Sequence, residues 1–206
     1  MNYFKAGLIS LLAFVFTPYS SADDGALYDK KPSKESSFVR LINVENHIRT
    51  ITADSQKIAS ASPGGVTGYA PIDKGIYTFK VGNFSLEVNV PEKSKLSFFV
   101  KDNKLTHITQ PRNNSKRTAT ISLFNLSDAL VSLEAGKSKK AVLKDIDVSS
   151  VKSRSVNPMK LSFHVSDHAS TSLETPSITL KRGIDSDIFI YNGLMSKALL
   201  LTESEW

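Results

Sequence analysis

Apolar and polar residues alternate along most of the chain from Ser37 onward, which is the pattern of β-strands with one buried face. In the first of these stretches Val39 and Leu41 share one face of the strand, while Arg40 lies on the other. Short turn signals separate the stretches, and the sequence has no convincing apolar period of 3.6 residues. The pattern predicts an all-β protein.

The alternation predicts two groups of short strands. The first group comprises the strand that starts at Ser37 and the stretches 47–53, 65–70, 76–81, 84–90, 96–101 and 105–109. The second group comprises 118–126, 130–134, 140–147, 159–165, 177–180, 187–191 and 198–201. Gly82 and Asn83 predict a tight hairpin within the first group, and the weakly patterned stretch 148–157 predicts a mobile loop.

One strand pattern occurs twice, at nearly the same spacing along the chain. The matching stretches are 38–43 (FVRLIN) with 120–125 (TISLFN), and 76–81 (IYTFKV) with 160–165 (KLSFHV). The copies agree in phase, and Ser122 takes the place of Arg40. A shift of one residue would turn every side chain to the opposite face, so agreement in phase indicates that a whole domain is duplicated.

The duplication predicts two tandem small β-sandwich domains of immunoglobulin-like size. We place the first domain at residues 37–110 and the second at 118–206, with the polar and basic stretch 111–117 as the linker. Residues 23–36 are polar, contain Pro32 and are predicted to form an N-terminal arm. Tandem β-domains of this size are more often scaffolds or binding proteins than enzymes.

The first 22 residues have the pattern of an export signal. Lys5 precedes an apolar run over 6–16, and Ser20 and Ala22 occupy the small-residue positions that signal peptidase recognises. The run is shorter than the roughly 20 residues that a membrane-spanning helix needs. We therefore interpret residues 1–22 as a signal peptide and expect a periplasmic protein that does not span the membrane after cleavage.

The chain has no cysteine, which excludes disulfide bonds and thiol catalysis and fits a bacterial periplasm. Its formal net charge is +6, and much of the positive charge lies in the stretches 112–117 and 137–144. In an exported protein this charge favours an anionic polysaccharide or an acidic protein as partner, and no nucleic acid is expected. The alternative is that these residues only keep exposed loops soluble.

Catalytic patterns are weak in this sequence. No acidic pair lies in a setting typical of glycoside hydrolases, and no strained nucleophile turn is visible. Residues 183–186 (GIDS) resemble a Gly-Asp-Ser box only with one residue inserted, and none of the four histidines has an aspartate three positions before it. His164 and His168 would lie about 13 Å apart on a strand, too far for one metal ion. We predict no catalytic, cofactor or metal site.

Arg40 is the charged residue of an otherwise apolar strand. As a functional group it could bind a carboxylate of a partner protein or of a uronate. As a structural group it would lay its aliphatic stem across the sheet and pair with a local acid. The sequence favours the structural role.

Short islands of sequence occur along nearly the whole chain after the predicted signal peptide. They are Ala26-Leu27-Tyr28, 37–41 with Asn43, Gly75 with Tyr77, Val81-Gly82, 125–128, Asn157-Pro158, and Leu180 with Arg182-Gly183. In these residues and in this order the chain resembles the family of the alginate O-acetylation protein AlgF. The Ala-Leu-Tyr and Phe-Val-Arg-Leu islands in tandem are the most specific part of the resemblance.

The resemblance implies a periplasmic protein required for adding acetyl groups to alginate, a polymer of mannuronate and guluronate. In that machinery acetyl transfer belongs to periplasmic SGNH-type O-acetyltransferases and a membrane-bound O-acyltransferase, so this chain would be a non-catalytic adaptor between them. The alternative is a polysaccharide-binding module that presents the uronate polymer to the acetyltransferases. An acetyltransferase of unknown type is a third hypothesis.

Tyr28, Phe38 and Arg40 are the predicted partner-binding residues, because they lie in the arm and first strand, where the resemblance is strongest. The hypothesis behind this prediction is that an edge strand and its flanking arm dock a partner by strand addition. The N-terminal copy is therefore the expected docking domain.

Overall fold

The computed structural model describes residues 32–112, 115–167, 172–192 and 197–205. Within these residues the regular elements are all β-strands, as the alternation predicts. No helix in this part of the chain is long and apolar enough to cross a membrane. The predicted signal peptide and the arm as far as residue 31 lie outside the described residues.

The first domain is a β-sandwich of two sheets. Its strands are β1 (Ser37–Asn43), β2 (Arg49–Ala53), β3 (Gln56–Ala61), β4 (Gly65–Val66), β5 (Ala70–Ile72), β6 (Gly75–Val81), β7 (Phe84–Val90), β8 (Ser94–Lys101) and β9 (Lys104–Pro111). One sheet has the order β4-β1-β8-β9, with β5 also paired to β1, and the other has the order β3-β2-β6-β7. The core between the sheets includes Val39, Leu41, Phe79 and Phe98.

The second domain repeats this architecture. Its strands are β10 (Ala119–Leu126), β11 (Val131–Ala135), β12 (Lys140–Ile146), β13 (Ser150–Val156), β14 (Met159–Leu161), β15 (Phe163–Asp167), β16 (Ser172–Glu174), β17 (Ile178–Leu180), β18 (Ile184–Asn192) and β19 (Lys197–Glu205). The sheets have the orders β13-β10-β18-β19 and β12-β11-β15-β16, and β14 pairs with β17. The core includes Ile121, Leu123, Leu133 and Phe163.

The two domains share a topology that reflects the duplication seen in the sequence. In each domain the first strand pairs in parallel with a strand near the end of the domain, β1 with β8 and β10 with β18. That later strand then pairs antiparallel with the next one, β9 or β19. In the second sheet, β2 lies between β3 and β6 as β11 lies between β12 and β15.

A buried asparagine at a matching position stabilises the same turn in both domains. Asn43 Nδ2 donates to the carbonyl oxygen of His47 at 2.8 Å, and Asn125 Nδ2 donates to that of Ala129 at 2.8 Å. In each copy the side-chain oxygen accepts a hydrogen bond from the backbone amide two residues later, at 3.1 Å. These bonds replace the water that burial removes from the amide group.

The stretch 148–157, for which the weak pattern predicts a mobile loop, contains strand β13. This strand pairs with β10 along its whole length, so the loop prediction is wrong. β13 lies at the edge of its sheet and is largely exposed, and backbone hydrogen bonds hold it together with apolar contacts of Val151 and Val156 near its ends. The edge strand β3 is also absent from the predicted strands, although its Ala61 is buried in the core of the first domain.

Two connections fall where the sequence has turn or linker signals. Gly82 and Asn83 join β6 to β7, and Gly82 has a φ of 58°, in the left-handed region that glycine tolerates. Between the domains, β9 ends at Pro111 and β10 begins at Ala119. The bounds given above for the arm, the domains and the linker stay predictions.

The domains pack face to face through the two sheets that contain the duplicated strands. β1, β8, β10 and β18 are buried on both faces, because one face meets the domain's own core and the other meets the opposite domain. An apolar cluster joins the two sheets at this junction, and its buried members are Ile42, Phe99, Ile108, Phe124, Leu126 and Phe189. Both domains belong to one compact unit that begins at Pro32.

Candidate functional site

Arg40 extends from β1 across the junction between the domains, and it is only 1% exposed. Its Nε donates to Ser97 Oγ at 2.8 Å on the neighbouring strand β8. Its Nη2 lies 2.8 Å from Asp187 Oδ2 on β18, and its Nη1 donates to Thr202 Oγ1 at 3.4 Å. A buried charge is stable only when it is paired, so Asp187 is the counter-ion that allows Arg40 to be buried.

Three aromatic rings surround the guanidinium group of Arg40. Its Cζ lies 4.3 Å from the ring centroid of Tyr69, 4.8 Å from that of Phe189 and 5.0 Å from that of Phe124. Phe124 and Phe189 stack, with ring centroids 4.6 Å apart. Aromatic faces attract cations, and the attraction is stronger where water is excluded.

Tyr69 contributes its ring as a neutral phenol. Burial raises the pKa of Tyr69 well above its usual range, and the positive charge of Arg40 only partly opposes that rise. The hydroxyl group lies 3.5 Å from Ser97 Oγ, the same atom that accepts a hydrogen bond from Arg40. A neutral Tyr69 leaves Asp187 as the anion that balances the guanidinium group.

A second buried ion pair joins the domains. Lys95 Nζ donates to Asp185 Oδ2 at 2.6 Å, and the two side chains are 2% and 3% exposed. Lys95 lies beside Phe38 in the β1–β8 register, and Asp185 lies beside Thr120 in the β10–β18 register. Both buried ion pairs therefore run from a cation of the first domain to an acid of the second.

Weaker contacts between the two domains lie nearer the protein surface. Gln110 Nε2 donates to Ser153 Oγ at 2.9 Å. Lys101 Nζ donates to the carbonyl oxygen of Ser127 at 2.8 Å and lies 3.1 Å from Asp128 Oδ1. Because the side chain of Asp128 is 70% exposed, this outer ion pair is solvated and contributes little to stability.

The predicted partner-binding residues lie in different settings. Phe38 and Arg40 are buried, at 8% and 1% exposure, and Tyr28 lies outside the described residues. β1 is not an edge strand, because it pairs with β4 and β5 on one side and with β8 on the other. The premise that β1 offers a free edge for strand addition is therefore wrong. Contact of the three residues with a partner stays a prediction.

The structural role that the sequence favours for Arg40 matches its buried contacts, except that its acid is not local. Asp187 belongs to the other domain. Sequence reasoning missed Asp187 and also the Lys95–Asp185 pair. The signal was present, because each of these residues is a charge at the border of, or within, an apolar strand, as Arg40 is.

A cleft of about 470 Å³ opens at the junction beside the Lys95–Asp185 pair. Its lining includes Lys95, Arg112 and Arg154 together with hydroxyl-bearing residues, and it contains no aspartate or glutamate among the described residues. Arg112 Cζ also lies 4.8 Å from the ring centroid of Phe38. Cations and hydroxyl groups are the chemistry that a carboxylate-bearing sugar would contact.

The described histidines have contacts other than those of a hydrolase site. His47 and His164 each place Nε2 3.9 Å from a glutamate carboxylate. His107 stacks on Phe98 with centroids 5.3 Å apart, and burial lowers the pKa of His107. His168 lies outside the described residues. Within the described part of the chain, no three or more histidine, aspartate or glutamate residues are grouped to hold a metal ion.

Known proteins similar to this chain are named for alginate biosynthesis. The family model described as Alginate O-acetyl transferase AlgF matches residues 8–185. The Alginate biosynthesis protein AlgF of Azotobacter vinelandii is 29% identical over 178 residues, which cover 86% of this chain and 82% of that protein. The protein of the same name from Pseudomonas aeruginosa is 28% identical over 165 residues, which cover 80% and 76%.

Two solved structures from P. aeruginosa also match parts of the chain. The C-terminal domain of AlgF covers 43% of this chain with 24% identity and a TM-score of 0.39. The N-terminal domain of AlgF covers 39% with 25% identity and a TM-score of 0.36. Because the family match extends over most of the sequence, the chain belongs to the AlgF family.

Proposed function

We propose that this protein is a non-catalytic periplasmic adaptor required for O-acetylation of an alginate-type exopolysaccharide. Its partners would be the periplasmic SGNH-type O-acetyltransferases and the membrane-bound O-acyltransferase of that machinery. The family supports the pathway, since its description names alginate O-acetyl transfer and its members are named for alginate biosynthesis. The adaptor role rests on how the fold uses its most family-like strand.

The observation that carries the adaptor proposal is the position of residues 37–41. These residues belong to the most specific island of the resemblance described under Sequence analysis, and they form strand β1 at the junction of the two domains. Arg40 and its neighbours hold one β-sandwich against the other. A chain that uses this strand to join two domains is suited to hold two binding surfaces at a set spacing, as an adaptor requires.

The experiment that tests the adaptor role is recovery of the acetyltransferases with the mature chain as bait. A tagged chain in periplasmic extract should retain the SGNH-type enzymes, identified by mass spectrometry. We expect Tyr28→Ala to lower recovery by removing a direct contact. Phe38→Ala and Arg40→Ala should lower it through the domain junction. The exposed residue Glu87 supplies the control variant, Glu87→Ala, which should not change recovery.

Unchanged recovery with all three variants would contradict the prediction that these residues contribute to partner binding. Absence of the acetyltransferases from the wild-type bait would contradict the adaptor role itself. The non-catalytic part of the proposal has a separate test, in which purified protein is incubated with an acetyl donor and mannuronate oligomers. We expect no acetylated product, and turnover that persists in repurified protein would overturn this part.

A second candidate function is binding of the uronate polymer, and the basic cleft favours it. Lys95, Arg112 and Arg154 line this cleft next to serine and threonine hydroxyls. Polymannuronate in a native gel should then slow the protein, less so at high salt and less so for Arg112→Ala. A neutral dextran gel is the control. Equal mobility with and without polymannuronate would exclude this function.

A further inference from the structure

We infer that the second domain carries a binding site for a guanidinium group, that Arg40 of the first domain fills it, and that this contact fixes the relative orientation of the domains. We call this site the guanidinium cage, and it consists of Phe124, Asp187, Phe189 and Thr202. The inference goes beyond the proposed function, since it concerns how the two domains are held and requires no partner.

Asp187 makes the guanidinium cage require a cation. Its side chain is 0% exposed, and neither of its carboxylate oxygens accepts a hydrogen bond within the described residues. Arg40 Nη2, 2.8 Å from Oδ2, supplies the positive charge. Without that group the carboxylate would be buried and unpaired, which is strongly unfavourable.

The aromatic rings make the guanidinium cage selective for a flat cation. Phe124 and Phe189 stack with an interplanar angle of 26°, and the Arg40 Cζ lies within 5.0 Å of both ring centroids. A guanidinium group is planar and weakly hydrated, so it packs on aromatic faces while its edge contacts an acid. The lysine ammonium is compact and strongly hydrated, and it cannot make both contacts equally well.

The duplication explains why Asp187 is available to the first domain. Ser122 takes the place of Arg40 in the second copy and lies beside Asp187 in the β10–β18 register. An arginine at this position would pair with Asp187 inside its own domain. The small side chain of Ser122 leaves the carboxylate to a cation from the opposite domain, and Arg40 is that cation.

The orientation of the domains can be measured in the full mature chain with two spin labels. The sequence contains no cysteine, so Glu87→Cys and Lys140→Cys supply single exposed sites on the first and second domains. Pulsed electron paramagnetic resonance then gives the distribution of distances between the labels. With Arg40 present we expect one narrow distribution of distances. With Arg40→Ala we expect a distribution about twofold broader, because the domains then populate several relative orientations instead of one.

Chemical rescue distinguishes a guanidinium site from general loss of packing. Arg40→Ala deletes a group of the shape of N-ethylguanidinium, and millimolar N-ethylguanidinium should narrow the distribution again. Ethylammonium at the same concentration should not. The distance distribution of Arg40→Lys, which keeps the charge, should also be broad.

Ser122→Arg tests the same inference without removing Arg40. The new arginine should pair with Asp187 within the second domain and broaden the distance distribution while both domain cores stay folded, as amide NMR spectra would show. A narrow distribution in Arg40→Ala, or equal rescue by ethylammonium and N-ethylguanidinium, would overturn the inference. Because no acetyltransferase is present, these measurements test the contact between the domains, whereas the recovery experiment tests binding of the acetyltransferases.

Discussion

The two copies of the duplicated strand pair carry opposite charges where they meet. In the first domain, β1 and β8 bring Arg40 and Lys95 to the junction. In the second domain, β10 and β18 bring Asp187 and Asp185 to it. A single ancestral pattern has thus become two faces that attract each other.

The strand registers make this comparison position by position. Lys95 lies beside Phe38 in the first copy, and Asp185 lies beside Thr120, the residue that takes the place of Phe38, in the second. The acid of the second copy therefore corresponds to the lysine of the first. Two like-charged faces would repel, so the charges favour pairing of the first domain with the second over pairing of either with its own kind.

Asp187→Ala should weaken the contact between the two charged faces most strongly. The change leaves the guanidinium group of Arg40 buried without its acid, and we expect the free energy of unfolding to decrease by about 3–5 kcal/mol. Urea denaturation of the mature chain measures the loss. The matched control is Arg40→Met with Asp187→Leu, which removes both charges and should regain most of the stability. A double variant no more stable than Asp187→Ala would contradict the ionic account.

Asn43→Ala and Asn125→Ala test what the two copies share. Each asparagine is buried and donates both to a carbonyl group of the turn that follows its strand and to one farther along the chain, that of Ser62 or Ile146. Removal leaves buried carbonyl groups unsatisfied, so each variant should lose about 1–3 kcal/mol of unfolding free energy. Urea midpoints of the two variants should be similar. A large loss in one variant and none in the other would show that the turns are not equivalent.

Tyr69→Phe tests the pH dependence of the junction, because Tyr69 of the first domain packs a titratable ring against the guanidinium group of Arg40. Burial raises the folded-state pKa of Tyr69 above its unfolded value of about 10. The contribution of Tyr69 to stability is therefore present below about pH 10 and decreases as the pH rises further. Between about pH 9 and 11 the wild type should lose more stability than Tyr69→Phe. Urea denaturation at several pH values measures the free energy of unfolding, and an equal decrease with pH in both proteins would contradict this prediction.

Asp128→Ala should have the smallest effect of the charge variants. Its carboxylate lies 3.1 Å from Lys101 Nζ but its side chain is 70% exposed, so solvent screens the ion pair. We expect a change of less than about 1 kcal/mol, smaller still at high salt. The same urea assay measures it. A loss as large as that of Asp187→Ala would show that burial does not decide which ion pairs matter at the junction.

The duplication could be predicted from the sequence because the phase of the alternation between apolar and polar residues is a local property. The alternation around Asn43 and Asn125 determines which side chains share a face, and in the structure each asparagine lies near the end of its strand and bonds to the turn that follows. The same reasoning marked Arg40 as unusual. It could not identify Asp187 as the acid, because an alternating pattern reveals that a face is buried and not which distant strand covers it.

Two further features could not be predicted from the sequence, for related reasons. β13 is held to β10 by backbone bonds, which leave no trace in a polar sequence such as that of residues 150–156. β1 has partners on both sides, and one of them is the parallel strand β8, far along the chain. Nothing in residues 37–43 distinguishes such a central strand from an edge strand. The docking hypothesis therefore wrongly took β1 to be an edge strand.

The most direct test of charge pairing between the domains is exchange of the two charges in the Lys95–Asp185 ion pair. Lys95→Asp alone and Asp185→Lys alone each place like charges against each other at a buried position, where Lys95 Nζ and Asp185 Oδ2 lie 2.6 Å apart in the wild type. By calorimetry, each should split the unfolding of the full chain into separate transitions of the two domains. The combined variant, Lys95→Asp with Asp185→Lys, should return to one transition. If the combined variant also unfolded in separate transitions, opposite charge on the duplicated strands would not be what joins the domains.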